Sequence, residues 1–81
     1  MPTILPVKGY QFYFYAHDVM TEPPHVHVAK AEADCKFWFR SVRLAVNHGF
    51  RRHELLEVAR IVEENQTQFL EKWNEFFRPA S

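Results

Sequence analysis

The chain changes hydrophobic period once, and that change constrains its fold more than any other feature. From Arg52 to Phe77 neither glycine nor proline interrupts, and apolar residues recur at Leu55, Val58, Ala59 and Val62, then at Phe69, Leu70, Trp73, Phe76 and Phe77. This is the three-to-four spacing of one apolar helical stripe. Between the two groups lies EENQTQ, which has no large apolar side chain and carries Asn65 and Thr67, both poor mid-helix residues. A single helix of about 26 residues would run roughly 39 Å, too long to lie on a small sheet. A break or bend is therefore expected near Asn65 to Thr67, with Pro79 closing the helical region.

Upstream the period is two. In YQFYFY, Tyr10, Phe12 and Phe14 fall on one face and Gln11, Tyr13 and Tyr15 on the other. The two prolines of HDVMTEPP bar a central strand until His25. HVHVA then alternates Val26 and Val28 with His25, His27 and Ala29. A turn near Lys30 to Ala33 leads to DCKFWFR, with Cys35, Phe37 and Phe39 on one face and Lys36, Trp38 and Arg40 on the other. VRLAV reads as a short fourth strand or as the lip of the next loop, and Asn47, His48 and Gly49 form a turn. Residues 1–9, with two prolines and a glycine, read as an irregular lead-in. Strands first and helices last predict an α+β fold: a three- to four-stranded antiparallel meander sheet followed by two C-terminal helices, or one bent helix, packed on one face.

An 81-residue chain has room for one core, so residues 1–81 are read as a single domain. Eight Phe, three Tyr and two Trp supply much of that core. Aromatic residues fall on both faces of the first and third strands, although helices can cover only one. A second cover, by a partner or a dimer mate, is the expectation.

Cys35 is the sole cysteine, which excludes an internal disulfide and a multi-cysteine metal site and favours a reducing cytoplasm. It shares a face with Phe37 and Phe39 and reads as a small buried hydrophobe. No apolar run approaches a membrane span, and MPTILPVKGY lacks signal-peptide order, so a soluble cytoplasmic protein without membrane contact is expected. Formal charge is zero. From Lys36 to His53, however, the chain carries Lys36, Arg40, Arg43, Arg51 and Arg52 and no acid, whereas from Glu54 to Phe77 six Glu outnumber Arg60 and Lys72. These are either solvated faces or, in the basic half, a surface in which Arg40, Arg43, Arg51 and Arg52 contact phosphate or nucleic acid.

His25 and His27 stand two apart on a strand, so their imidazoles share a face with Cβ atoms about 7 Å apart. Three readings fit this spacing. The pair either lines a sheet face, stacked on Tyr13 or Tyr15, or acts as the general base and acid of a phosphodiester hydrolase. As a third reading, it ligates a divalent metal such as zinc with a third ligand from His17, Asp18, Glu22 or Asp34. Trp73, Phe76 and Phe77 read as core or dimer contacts, and Glu71 and Glu75 as a solvated pair. No Gly-rich phosphate loop, serine elbow or metalloprotease motif is present.

The opening MPT, the strand YQFYFY, EPPHVHV at Glu22 to Val28, KFWF, VRLA followed by NHGF, ELLEVARIVEE and FLEKWNEFF together resemble the domain-of-unknown-function family 4160, small bacterial proteins. The resemblance implies an α+β fold and a companion protein encoded nearby, hence one half of a two-gene toxin–antitoxin-like module that binds a protein partner, with RNA as a further partner. It implies no catalytic reaction, and a structural adaptor or homo-oligomer is the remaining alternative. Relatives usually carry Ser where this chain has Arg51, completing a capping box with the position of Glu54.

Overall fold

The computed structural model describes residues 3–15 and 21–77. Five antiparallel strands form one meander sheet in chain order: β1 (Thr3–Val7), β2 (Tyr10–Tyr13), β3 (Val26–Lys30), β4 (Ala33–Trp38) and β5 (Arg43–His48). Two helices follow, α1 (Arg52–Glu64) and α2 (Gln66–Phe77). The α+β class and the order of elements are as the sequence predicts. The strand count is corrected from three or four to five. The segment read as an irregular lead-in contains β1, and of VRLAV all but Val42 belongs to a true strand. Proline misleads in β1 because Pro6 lies on the outermost strand, where a missing N–H costs no ladder bond.

The turns explain the strand boundaries. Lys8 (φ 52) and Gly9 (φ 86) both adopt positive φ between β1 and β2, the two-residue hairpin geometry whose twist matches the flanking strands. Ala31 (φ 56) and Val42 (φ 53) take the same region in the β3–β4 and β4–β5 connections. At the end of β5, the Asn47 side chain accepts from the Phe50 N–H at 3.1 Å and donates to the Phe50 carbonyl at 3.0 Å, which leads into α1; the turn expected at Asn47, His48 and Gly49 is corrected to begin at Gly49, because Asn47 and His48 still belong to β5.

One sheet face carries the core. Tyr10, Phe12, Phe14, Val26, Val28, Cys35, Phe37 and Phe39 pack against Phe50, Val58, Ile61, Val62, Phe69 and Trp73. Phe12 meets Phe69 at 5.5 Å between centroids, and Phe14 meets Trp73 edge-on at 5.3 Å. The face assignments read from the alternation of Tyr10/Phe12/Phe14, Val26/Val28 and Cys35/Phe37/Phe39 all hold.

The helical region breaks where its apolar stripe lapses. Asn65 leaves helical geometry (φ −118, ψ 18), its N–H is shared between the Ile61 and Val62 carbonyls, and its side-chain amide donates to Ile61 O at 2.8 Å. Gln66 then ties the start of α2 to the sheet by donating to the Phe39 carbonyl at 2.8 Å and the Arg40 carbonyl at 3.2 Å. Among the described residues no helix is long and apolar enough to cross a membrane.

Candidate functional site

The helices cover one face of the sheet, and the register defines what lies on the other. Tyr13, His27, Lys36 and Val46 form one row across β2 to β5; Gln11, Ala29, Asp34 and His48 form the next. Cross-strand partners project to the same side, so Arg43, opposite Trp38, belongs to this face as well. A hollow of about 260 Å³ opens here, lined by Tyr13, Tyr15, His27, Asp34, Cys35, Lys36, Val46 and His48.

Its rings are packed against each other. Tyr13 and His27 stack at 5.3 Å with their planes 17° apart, and Tyr15 stands nearly perpendicular to both, at 5.5 Å from Tyr13 and 4.7 Å from His27. Tyr13 is only 7% exposed, whereas Tyr15 reaches 38%. Burial, the neighbouring Tyr15 and the Asp34 carboxylate together push the Tyr13 hydroxyl up to about 12. The Cys35 thiol is likewise pushed up to about 12, first by burial and then by Asp34. A thiol so held is a hydrophobe at neutral pH, as its place in the strand predicts.

The charges on this face are divided. Lys36 Nζ donates to Glu22 Oε1 at 2.6 Å and sits 4.9 Å from the Trp38 ring centroid, so its charge is met by an acid and a ring face. Asp34, two residues along β4 in the other direction, has no hydrogen bond or ion pair among the described residues and is exposed.

The sequence-predicted residues distribute unevenly. The His25 and His27 rings touch, edge to face at 5.1 Å, but their environments differ. His27 is half-buried in the row above. His25 precedes β3, has no exposed surface, and lies between Trp38 on the open face and Trp73 from the helical layer, at 5.5 and 5.2 Å. Its Nδ1 lies 2.9 Å from the Pro23 carbonyl, which can only accept, so Nδ1 carries the proton. His48 joins His27 in the hollow from β5, two strands away from β3. His53 lies apart, in α1 beside Lys8, Leu56 and Glu57.

Of the residues considered as a third metal ligand, His17 and Asp18 lie outside the described residues. Glu22 is engaged with Lys36, and Asp34 faces the hollow beside His27. Among the described residues no three His, Cys, Asp or Glu side chains gather to hold a metal ion. The four arginines do not converge. Arg40 and Arg43 lie at the His25 and Trp38 end of the sheet, whereas Arg51 and Arg52 follow the far end of β5, a strand of six residues or roughly 17–20 Å. Sequence reasoning did not single out Tyr15, Lys36, Val46 and His48 as one site. The signal available was alternation, which places each on its face, but only strand register makes them neighbours.

The family described as Domain of unknown function (DUF4160) matches residues 9–74. The chain belongs to that family. The match spans β2 through most of α2 and includes every residue of the hollow. Neither a curated protein nor a solved structure matches the chain.

Proposed function

We propose that this protein is a binding module that docks a protein partner on the open face of its sheet, as one component of a two-gene toxin–antitoxin-like system. The carrying observation is the aromatic face left opposite the helices, on which Tyr15 and Val46 remain 38% and 39% exposed while Trp38 is half-buried. A sheet face that only meets water has no use for such residues, and aromatic anchors of this kind dominate protein interfaces.

Two features favour a protein over a nucleic acid. Tyr13 and His27 stack on each other rather than lying flat as a platform for bases. The arginines also split between opposite ends of the sheet, which interrupts the basic track that a phosphate backbone requires. The burial of His25 weighs against a hydrolase in which both imidazoles reach substrate.

The test is co-expression of the tagged chain with the product of the adjacent gene. Co-purification that Val46→Lys abolishes and Leu56→Lys, on the exposed surface of α1, leaves intact is the expected result. A neighbour that never co-purifies, or that binds both variants equally, sinks the proposal.

A further inference from the structure

We infer that the hollow on the open face receives the guanidinium of an arginine side chain from that protein partner, with Asp34 as its counter-ion. The inference rests on the docking reading above and adds to it the chemistry of the inserted group.

Size comes first. About 260 Å³ falls below the roughly 300–1,000 Å³ that encloses a drug-sized ligand, and suits one inserted side chain.

Charge then selects the side chain. Lys36 is neutralised by Glu22 at 2.6 Å and leans toward Trp38, away from Asp34. What remains in the hollow is the Asp34 carboxylate, exposed and without an ion pair among the described residues. An anion would be repelled there, and a neutral apolar group would cover the carboxylate without satisfying it. A cation satisfies it.

The walls distinguish between cations. Tyr15 presents its exposed ring beside the Tyr13–His27 stack, and Val46 closes the opposite side on β5. A guanidinium is planar, weakly hydrated, stacks on aromatic rings and meets a carboxylate through two parallel N–H bonds. An ammonium does none of these as well.

The probe is Nα-acetyl-arginine amide titrated into the labelled protein, with amide chemical shifts as the readout. Nα-acetyl-citrulline amide, the uncharged isostere, and Nα-acetyl-lysine amide serve as controls. Saturable millimolar shifts confined to the strands around Asp34, Val46 and His48 are expected, weakened about tenfold or more, a free-energy difference of about 1.4 kcal/mol, for citrulline and in Asp34→Asn. Absent saturation, or equal binding of arginine and citrulline, overturns the inference. If Val46→Lys releases the co-expressed partner but Asp34→Asn does not, docking stands and the arginine assignment falls; if neither releases it, both fall. Self-association lost in Arg40→Ala or Arg43→Ala would assign the cation to a second copy and overturn the heterologous partner.

Discussion

Tyr13 and His27 face each other across β2 and β3 with ring planes 17° apart and centroids 5.3 Å apart. The pair is a structural unit before it is anything else, because a stacked cross-strand pair contributes about 0.5–1.5 kcal/mol beyond its buried area. His27→Ala should therefore lower unfolding free energy by about 1 kcal/mol, and His27→Phe should recover most of it. Urea unfolding of the three proteins checks this. An unchanged midpoint in His27→Ala would mean the stack contributes nothing.

The buried acids make stability sensitive to alkali. Tyr10 is pushed up to about 12 by burial and then by its 2.9 Å hydrogen bond to Glu57, Tyr13 to about 12, and Cys35 to about 12 from an ordinary value of 9.0. Each stays protonated in the folded chain after its unfolded counterpart has ionised, so folding retains protons that the unfolded state releases. Their contribution is fully present below the unfolded values and is lost as pH rises toward 12. Cys35 begins the decline near pH 9 and the tyrosines add to it from about 10, each by up to about 1.4 kcal/mol per pH unit. Thermal melts between pH 8 and 11 should show this steepening, and Cys35→Ala should delay its onset. A flat profile across that range would contradict the burial argument.

The N-terminus of α1 holds half a capping box. The Glu54 carboxylate accepts from the Arg51 N–H at 2.9 Å, but a guanidinium has no acceptor to return to the first turn, and no side chain caps it there. Arg51→Ser supplies the missing acceptor and should stabilise the protein by about 1 kcal/mol. The gain should disappear in Arg51→Ala, which separates capping from the removal of charge. Chemical denaturation of the three sequences decides it.

How far the sequence reveals this fold depends on which interactions are local. The alternation of Tyr10, Phe12 and Phe14 and the lapse at EENQTQ are visible because faces and helix breaks are set by near neighbours. β1 was hidden by Pro6, whose tolerance depends on lying at a sheet edge, a fact of topology rather than composition. The site shows the same division. His27 was legible as a face residue, whereas its row-mates Lys36 and Val46 became neighbours only through register, including the extra residue, Ala45, that β5 carries between the partners of Lys36 and Phe37. The opposite fates of His25 and His27 were not legible, since the spacing of two that gave them one face says nothing about Trp73 arriving from α2.

Gln66 carries the junction between the layers. Its amide reaches the Phe39 and Arg40 carbonyls, which sit in the β4–β5 connection and have no strand partner of their own. Gln66→Ala should cost about 1 kcal/mol despite the better helix propensity of alanine, and should raise amide exchange in residues 39–42 more than in α1. Uniform exchange across the molecule would show that the tie is dispensable.

His25 is the more consequential of the two histidines for folding. It has no exposed surface, bonds the Pro23 carbonyl through Nδ1, and fills the space where His27, Trp38 and Trp73 converge. Truncation there leaves both a cavity among aromatic rings and a carbonyl without its donor, so His25→Ala should cost about 2–4 kcal/mol, well above the loss from His27→Ala. A double variant of both histidines therefore confounds folding with function, and any growth or binding phenotype has to be read from His27→Ala alone. Calorimetric melting of the two single variants checks the ordering. If His25→Ala melts no lower than His27→Ala, the bridge between the layers is not the stabilising element, and a functional role for the buried imidazole regains weight.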